Sequence, residues 1–431
     1  MFYNRYLKNL YILFYKMAYM PHKNKDLQEK FSIIPKTFSD FNYIFFNGKS
    51  SFFEKIEKNH PKEGEEFLKI YKNLKELVLN METVLQKEYP FLKTHTEKNK
   101  IEITRKEAAL LFLLSFFNCM ECNSPRFIVY NIIVSKFGIA FQFGRCFLSY
   151  LTTIGKWLEE KNDEILNEKI IYVRDNCESK YYLDNKEVDL CEINVLEEGS
   201  LFDGDASYCV DFANKKIGGG ALTGGSVQEE ILFALQPEAI ISMLFMEVMG
   251  PNDAIGIFNT IEYSKSSGYS HTFRFEKSSI TDDLANIKRH RIIAIDAIFK
   301  TNSFSFFNFC KNTIQEDIIR DIHKSYVGFN LINLEEEEKE KFEKTISTGN
   351  WGCGAFGGNH ELKFIQQWIS ASFAGVKRLD YYTFGDIKMK NAVKHHSEIK
   401  NIYKNAKTLY EEITLKKIDE KNIIINLVKN K

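Results

Sequence analysis

The alternation of strand-like and helix-like segments after Lys169 is the feature that most limits the folds open to this chain. Apolar runs of strand length recur there, and they read KIIYVRD, SYCVDFAN, AIGIFNTIEYS, HTFRFEK, RIIAIDAIF and RLDYYTFGD. Between them lie patterns with helical spacing, of which PEAIISMLFMEVM and NHELKFIQQWISASFAG are the clearest. Strand and helix in alternation predict a layered α/β domain with a mainly parallel or mixed sheet. We expect its ligand at the carboxyl ends of the strands.

The part of the chain before this alternation has the spacing of helices. Over residues 50–167 apolar residues recur with a helical period, and Thr104 with Glu107 forms a capping box that opens onto AALLFLLSFF. Because 431 residues exceed what one hydrophobic core usually covers, two domains are expected. We predict a mainly α-helical accessory domain over residues 1–165 and an α/β domain over residues 166–431.

The charge balance argues against a partner held by a general electrostatic field. Lys and Arg together number 58, as do Asp and Glu, so an anionic ligand needs a local site and no direct DNA binding is expected. The longest apolar stretch, residues 108–117, is too short to span a membrane and is predicted to be a buried helix. We therefore expect no membrane partner, and we expect a monomer.

The eight cysteines are scattered along the chain, which fits a reducing compartment better than a disulfide scaffold. Cys119 and Cys122 form a CxxC pair, but neither a second pair nor a histidine pair lies at zinc-ligand spacing, so packing is favoured over metal or redox chemistry. We predict no cofactor and no metal. Residues 1–25 are basic and are interpreted as an amphipathic helix docked on the first domain, with organellar targeting as the alternative.

A cluster of glycines at residues 218–225, within GGGALTGGSVQEE, follows the strand-like CVDFAN. Glycine permits positive φ and lets backbone N–H groups approach a ligand, so this loop is predicted to bind phosphate or ribose. It is not a Walker loop, because Ser226 stands where lysine is required. It does not match the dinucleotide pattern either, because Thr223 stands where the third glycine should be. A tight turn without a ligand is the alternative.

The sequence QEE, residues 228–230, lies where this loop is expected to turn into a helix. Neighbouring residues of a helix point about 100° apart, so Glu229 and Glu230 cannot do the same work at the same point. One can bind a ligand while the other catalyses. The alternative is that both carboxylates simply stabilise the helix N-terminus, where negative charge is favourable.

A second glycine cluster, GNWGCGAFGG, lies at residues 349–358 and leads into a predicted helix. It contains a formal GxGxxG from Gly352 to Gly357, but no clear strand is predicted before it, so the dinucleotide-binding context is missing. Free N–H groups at a helix start still suit a diphosphate. Cys353 is expected to be packed rather than nucleophilic, since no histidine is visibly paired with it. Two glycine loops on one α/β domain suggest one extended ligand with phosphates and sugars, such as ADP-ribose.

These motifs together resemble the signature of poly(ADP-ribose) glycohydrolases of the eukaryotic type. The resemblance rests on VDFAN, GGG, the short spacer and QEE, followed by GNWGCGAFGG and TFGD, and it extends over about residues 101–386 with RKEAALLFLLSFF in the helical part. It implies an α/β catalytic domain of the macrodomain type, three-layered with a mixed sheet, preceded by a mainly α-helical accessory domain.

For the site, the resemblance implies a division of work among named residues. Glu230 is expected to be the general acid/base at the ribose–ribose bond, and Glu229 to orient the ribose with support from Asp211. Tyr269 is expected to close over the ligand, and Phe384 to pack on adenine. Further ligand contacts are expected from Asn214, Gly218, Gly219, Gly220, Gln228, Asn350, Gly354, Ala355, Phe356 and Gly357. The resemblance also implies a residue that contacts the edge of the adenine ring, here called the adenine edge. In this region the chain reads SLFDGD, so Leu201, Phe202 and Asp203 are the alternatives for that contact.

The expected function is hydrolysis of the ribose–ribose O-glycosidic bonds of poly(ADP-ribose), with release of ADP-ribose through an oxocarbenium-like transition state. The expected partners are poly(ADP-ribose) and ADP-ribosylated proteins, in the nucleus, the cytoplasm or both, as part of polymer degradation in the DNA damage response. Two alternatives stay open: a hydrolase of single protein-linked ADP-ribosyl groups, and a macrodomain that binds ADP-ribose without turnover. The intact QEE argues against the second alternative, because recognition alone needs no general acid.

Overall fold

The computed structural model describes residues 19–21, 30–31, 33–80, 84, 89–93, 99–118, 120–122, 126–184, 188–202, 204–300, 314–334, 342–416 and 422–429. Most of the predicted N-terminal helix, Cys119 of the CxxC pair and Asp203 at the adenine edge lie outside these ranges. The chain forms two compact units that alternate along the sequence. The first holds residues 1–172, 216–248 and 257–289, and the second holds residues 173–215, 249–256 and 290–431. The predicted domain boundary at residues 165 and 166 stays a prediction.

Fifteen helices and twelve strands occur in the described residues. The helices are α1 (Phe38–Phe46), α2 (Ser51–Asn59), α3 (Pro61–Leu79), α4 (Arg105–Phe116), α5 (Tyr130–Val134), α6 (Gly138–Glu159), α7 (Asp163–Asn167), α8 (Gln228–Leu235), α9 (Pro237–Ile240), α10 (Ser242–Phe245), α11 (Ile314–Asn330), α12 (His360–Phe373), α13 (Lys390–Tyr403), α14 (Ala406–Leu415) and α15 (Ile423–Lys429). The strands are β1 (Tyr19–Pro21), β2 (Lys100–Thr104), β3 (Met120–Cys122), β4 (Lys169–Asn176), β5 (Glu192–Leu196), β6 (Tyr208–Ala213), β7 (Asp253–Ile261), β8 (Ser264–Ser267), β9 (Arg274–Ser278), β10 (Arg289–Asp296), β11 (Thr345–Gly349) and β12 (Arg378–Tyr382).

The first unit is mainly helical, and α4 lies in its core. The predicted capping box is present: the N–H of Glu107 donates to Oγ1 of Thr104 at 3.1 Å, and the N–H of Thr104 donates to the Glu107 carboxylate at 2.6 Å. Beyond this cap every apolar residue of α4 is buried, as expected for a helix that is apolar on most sides. The caps of such helices are typically worth about 1 kcal/mol.

A buried ion network in the first unit joins α4 to α9 and β10. Arg105, which is fully buried, pairs with Glu238 and, at 2.9 Å, with Glu168. Glu168 also pairs with Arg289 at 2.5 Å, and the Tyr263 hydroxyl donates to Glu238 at 2.6 Å. Removing one partner from a buried network leaves uncompensated charge and destabilises strongly, so these side chains keep the unit in one arrangement.

The second unit is built on a sheet. The sheet has eight strands in the order β2-β4-β7-β10-β6-β11-β12-β5, of which β2 and parts of β4 and β7 belong to the first unit. From β10 to β5 the neighbours pair in parallel, with Asp296 opposite Ala213 and Gly349 opposite Tyr382. The carboxyl ends of these five strands therefore lie at one edge of the sheet. Helices pack on the sheet through a core that includes Ile322, Trp368, Tyr381, Met389, Ile399, Leu409 and Ile424.

The predicted α/β class is confirmed, and each of the six predicted runs contains a strand, namely β4, β6, β7, β9, β10 and β12. The prediction that no strand precedes the second glycine cluster is wrong, because β11 ends at Gly349. The reason is that TISTG is short and polar, yet all of it is buried. Its hydroxyl groups are satisfied by distant partners: Ser347 donates to the Leu201 carbonyl at 2.7 Å, and Thr348 donates to Gln367 at 2.6 Å.

Candidate active site

Backbone N–H groups of the first glycine cluster hold the two adjacent glutamates. Glu229 and Glu230 lie in the first turn of α8, directly after the cluster. The N–H of Gly218 donates to Oε1 of Glu229 at 2.7 Å, and the N–H of Gly220 donates to Oε1 of Glu230 at 2.9 Å. The glutamates are only 2% and 6% exposed. Because a buried carboxylate is costly unless it is hydrogen-bonded, the loop and the carboxyl groups stabilise each other.

Gly219 lies where these two carboxyl groups meet. Its φ is +45°, in the left-handed region. A Cβ atom at this position would lie 2.5 Å from Oε2 of Glu229 and 2.5 Å from Oε1 of Glu230, which no real Cβ tolerates. The missing side chain therefore allows both carboxyl groups to approach the same short stretch of backbone.

Glu230 also caps its own helix. Its Oε2 accepts a hydrogen bond of 2.9 Å from the N–H of Val227, the residue before α8. This is the helix-stabilising role that the sequence left open as an alternative. That role accounts for the Val227 hydrogen bond, but not for the two that come from Gly218 and Gly220 outside the helix.

Tyr269 follows β8, in the turn of the β8–β9 hairpin, with its ring 54% exposed. Partial burial raises the pKa of its phenol, a hydrogen bond with the backbone of Gln228 lowers that pKa, and the charge of Glu230 raises it. These interactions place the tyrosine beside the start of α8. Within the first unit the structure thus brings Gln228, Glu229, Glu230 and Tyr269 together at the first glycine cluster.

Arg126 supports this cluster, and sequence reasoning missed it. Its guanidinium donates to the carbonyl groups of Lys216 at 3.2 Å, Ile217 at 3.2 Å and Gly219 at 3.4 Å. Burial lowers the pKa of Arg126, and the charge of Glu229 opposes that shift. The contact joins residues about ninety positions apart in the sequence, and the surrounding NSPRF carries no motif, so no local signal marks this arginine.

The remaining predicted residues belong to the second unit, and most follow the carboxyl ends of its parallel strands. Asp211 lies inside β6 opposite Ala294, and it is fully buried. Asn214 follows β6, Asn350 follows β11, and Phe384 lies shortly after β12. These positions agree with the expectation that a ligand lies at the carboxyl ends of the strands.

Trp351 anchors the second glycine cluster. Its indole N–H donates to the carbonyl of Ile295 at 2.9 Å, and the Lys363 ammonium lies 4.1 Å from the centre of its ring. Lys363 also forms a buried ion pair with Asp321. Because the base of the loop is tied to β10, α11 and α12 in this way, the loop tip has a fixed support.

The tip of this loop, residues 354–357, presents backbone donors. The N–H groups of Gly354, Ala355 and Phe356 donate no hydrogen bond within the described part of the chain. The carbonyl of Phe356 accepts from the N–H of Lys300 at 2.9 Å, and the N–H of Gly357 donates to Gly354 at 3.0 Å. Successive free N–H groups attract anions, so the tip can receive a phosphate oxygen.

Asn350 connects the ends of β11 and β12. Its Nδ2 donates to the carbonyl of Thr383 at 3.1 Å, and its Oδ1 accepts from the Tyr381 hydroxyl at 3.3 Å. The neighbouring Phe384 has a φ of +55° and is 49% exposed, and its ring centre lies 6.4 Å from that of Tyr382. An exposed aromatic ring at a strand end can stack on a base.

At the adenine edge, the structure describes two of the three candidates. Leu201 is buried, and its carbonyl accepts the Ser347 hydroxyl. Phe202 is half-buried, with its ring centre 6.3 Å from that of His290. Phe202 is therefore better placed than Leu201 to offer a side-chain surface to a ligand.

The cysteine in the second glycine cluster is not prepared for nucleophilic chemistry. Cys353 is buried, and burial raises the pKa of its thiol to about 12. Among the described residues, no group of three or more His, Cys, Asp and Glu side chains is placed to hold a metal ion. None of the helices described above is both long and apolar enough to cross a membrane.

Comparison with known proteins covers residues of both units. Residues 181–391 match the family model described as poly(ADP-ribose) glycohydrolase, Macro domain fold. Three similar proteins are poly(ADP-ribose) glycohydrolase 1 of Arabidopsis thaliana and poly(ADP-ribose) glycohydrolases 2 and 1 of Caenorhabditis elegans. They are 32%, 32% and 36% identical to this chain over 48%, 52% and 47% of its length.

The matches cover 48%, 47% and 26% of these three relatives, so the chain spans about half the length of the first two and about a quarter of the third. The residues matched by the family model include Asp211, the first glycine cluster with QEE, the second glycine cluster and Phe384. Residues 181–391 of this chain are thus similar to the poly(ADP-ribose) glycohydrolase family, with the macro domain fold.

Proposed function

We propose that this protein hydrolyses the ribose–ribose O-glycosidic bonds of poly(ADP-ribose) and releases ADP-ribose. The observation that carries the proposal is the pair of buried carboxyl groups, Glu229 and Glu230, held by a glycine loop and meeting at Gly219. The similarity of residues 181–391 to this family supports the substrate, since the related proteins are named for this polymer.

Glu230 is the general acid/base in this proposal. As a carboxylic acid it gives its proton to the leaving ribose oxygen while the C1–O bond breaks and an oxocarbenium-like centre forms. As a carboxylate it then takes a proton from water, whose hydroxyl bonds to the same carbon. The hydrogen bonds from Gly220 and Val227 support this role, because they hold the carboxyl group in one orientation while each oxygen keeps a second lone pair for the reaction.

In this proposal Glu229 orients the ribose, and Asp211 and Asn214 support Glu229 in that role. The Gly218 hydrogen bond to Glu229 fixes one carboxyl oxygen, and the absence of a side chain at Gly219 lets the other oxygen approach the backbone. Gly218, Gly219 and Gly220 wrap the terminal ribose and its phosphate, with Gln228 beside them. Positioning of this kind can supply much of the barrier reduction.

The remaining contacts with ADP-ribose in this proposal are those that the family resemblance implies. The free N–H groups at the tip of the second glycine cluster, with Asn350 and Gly357, bind the diphosphate. The exposed ring of Phe384 packs on adenine. The half-exposed ring of Tyr269 closes over the ligand beside the start of α8.

The test compares the intact chain with Glu230→Gln on two substrates: poly(ADP-ribose) and a protein that carries single ADP-ribosyl groups. We expect release of ADP-ribose from the polymer, a loss of at least about a thousandfold in Glu230→Gln, and no release from the protein. The control Glu54→Gln changes an exposed carboxyl group of the same unit and should keep full activity. Calorimetric binding of ADP-ribose should survive in both variants.

Each other outcome contradicts the proposal in a defined way. Release from the protein but not from the polymer would assign the chain to the removal of single ADP-ribosyl groups. Binding of ADP-ribose without release from either substrate would make it a binding module. A Glu230→Gln variant with nearly full turnover would remove Glu230 from the chemistry. The length of the released products would separate cleavage at chain ends from internal cleavage.

A further inference from the structure

A cavity of about 630 Å³ lies within the first unit, beside the first glycine cluster. One wall consists of Thr223 and Gly224 of that cluster and of Ser226, which follows it. The remaining lining comes from α2, the start of α6 and the β8–β9 hairpin: Lys55, Phe137, Gly138, Ile139, Phe141, Gln142, His271 and Arg274. The volume is within the usual range for small-molecule sites. None of these residues is among those assigned above to the terminal ADP-ribose.

The lining is basic. It includes Lys55, His271 and Arg274, and it includes no Asp or Glu. Within the described residues, Lys55 and Arg274 form no ion pair with a carboxylate, although Arg274 donates to the carbonyl groups of His271 and Phe273. The chain as a whole carries no net charge, so this concentration of cations is local. A concave site with cations and no carboxylate favours an anion.

Two aromatic rings face the same cavity. Phe137 is 69% exposed, and its ring lies about one van der Waals contact from the position that a Cβ of Gly224 would take. Phe141 lies under the Lys55 ammonium, which is 5.6 Å from the ring centre. A large apolar side chain exposed beside cations is suited to stacking on a base, as in proteins that bind single-stranded nucleic acids. The lining therefore suits an anion that carries an aromatic ring.

Backbone donors are also present in this cavity. The N–H groups of Gly224 and Ser226 donate no hydrogen bond within the described ranges. The side-chain oxygen of Gln142 accepts from the N–H of Phe275 at 3.0 Å, which directs its amide nitrogen away from that bond. Such donors can bind phosphate oxygens in addition to the cations.

The cavity is connected to the catalytic carboxyl groups through two short segments. Gly224 and Ser226 belong to the same loop as Gly220, whose N–H holds Glu230. His271 and Arg274 belong to the same hairpin as Tyr269, which interacts with Gln228 and Glu230. A ligand in the cavity would therefore lie next to one held at Glu229 and Glu230.

We infer that this cavity binds a second adenosine diphosphate unit, namely the ADP-ribose of the polymer that adjoins the bond being cleaved. The inference rests on the proposed function, because it takes the neighbouring unit of the same substrate as the ligand. Lys55 and Arg274 bind its diphosphate, and Phe137 stacks on its adenine. The site gives the polymer an advantage over a single ADP-ribosyl group, which has no second unit to place there.

The decisive variant is Lys55→Ala combined with Arg274→Ala, measured on poly(ADP-ribose) of defined chain length. Its matched control is Lys58→Ala combined with Lys277→Ala, which removes two exposed cations from the same helix and the same strand outside the cavity. We expect the KM for polymer to rise about tenfold in the cavity variant and to stay unchanged in the control, with kcat similar in both. The salt dependence of KM should weaken, because fewer phosphate contacts release fewer counterions. Calorimetric binding of ADP-ribose at the terminal site should be unchanged.

An equal KM in the cavity variant and in its control would overturn the inference. A free nucleotide could instead be the occupant of the cavity. In that case ADP would bind to protein already saturated with ADP-ribose, and this binding would depend on Arg274, while the cavity variant and its control would have the same KM for polymer. That result would also overturn the inference. If the intact chain released nothing from polymer, the proposed function would fail. Retention of labelled polymer by the two variants would then still decide the cavity, with equal retention counting against it.

Discussion

The N–H of Gly220 and the carboxyl group of Glu230 are joined by a hydrogen bond of 2.9 Å, across ten positions of sequence. The same carboxyl group accepts from Val227 at the start of α8. Glu230 therefore connects the glycine cluster to the helix that follows it. The loop and the proposed general acid cannot change conformation independently. We therefore expect substitutions in the first glycine cluster to change the turnover rate.

Gly219→Ala tests this coupling. The added Cβ would meet both carboxyl groups at 2.5 Å, so we expect turnover on polymer to fall by about a hundredfold or more, because misplacement of catalytic groups is costly. The matched control is Gly48→Ala, since Gly48 also has a positive φ, +68°, but open space around it. Steady-state rates and thermal unfolding of both variants are the measurement. Equal turnover in the two variants would show that the meeting of the carboxyl groups at Gly219 is unimportant.

Ala355→Pro tests the tip of the second glycine cluster. Proline removes one of the three free N–H groups, so we expect ADP-ribose to bind about tenfold more weakly, while adenosine, which has no phosphate, is unaffected. Ala355→Ser keeps the N–H group and serves as the control. Calorimetric titration with both ligands gives the answer. A parallel loss for adenosine would indicate distortion of the site rather than loss of a phosphate contact.

Phe384→Ala tests the proposed adenine contact. Stacking of a base on an aromatic ring is worth about 1–3 kcal/mol, so ADP-ribose should bind roughly ten- to a hundredfold more weakly. Because the ring is 49% exposed, the melting temperature should change little. The control is Ile387→Ala, three residues further along, where the residue is 74% exposed. If Phe384→Ala bound ADP-ribose with unchanged affinity, Phe384 would not contact the adenine. Phe202 would then be the next candidate for that contact.

Glu168→Gln tests the buried ion network of the first unit. Burial opposes the charge of Glu168, but hydrogen bonds and charge from Arg289 and Arg105 outweigh it and hold its pKa below the ordinary 4.5. A carboxyl group with a lowered pKa in the folded state contributes stability above its unfolded pKa. As the pH falls below 4.5, the unfolded state takes up the proton first, and the stabilisation is lost progressively until the pH has passed the lower pKa of Glu168 in the folded state.

We therefore expect Glu168→Gln to lower the free energy of unfolding by about 1–3 kcal/mol at pH 7. The gap between the variant and the unchanged protein should close as the pH falls below 4.5. The measurement is thermal unfolding at a series of pH values, with Glu164→Gln as an exposed control that should show no gap at any pH. If the difference in the free energy of unfolding between Glu168→Gln and the unchanged protein grew as the pH fell, the ion network would not stabilise the fold in this way.

Sequence alone predicted what is encoded locally. The Thr104–Glu107 capping box needs two residues three positions apart, and the six apolar runs need only their own composition. The position of QEE directly after the glycine cluster also predicted that α8 begins there. In these cases the interacting groups lie within about a dozen residues of each other, so the pattern is visible without a fold.

What the sequence could not supply depends on distant contacts. The strand β11 was missed because its polar hydroxyl groups become suited to burial only when Leu201 and Gln367 are beside them. Arg126 was missed because the carbonyl groups that it binds lie about ninety residues away. The basic cavity was missed for the same reason, since α2, α6 and the β8–β9 hairpin each contribute only one or a few of its residues.

The alternation of the two compact units along the chain has a consequence for what can be removed from this protein. Residues 216–248, which carry the first glycine cluster and both glutamates, share a unit with helices α1 to α7. A shortened form that starts near residue 166 would keep every motif of the signature while losing most of the unit in which the glutamates fold. We therefore expect proteolytic removal of the helical region to inactivate the protein, although it leaves both glutamates in the chain.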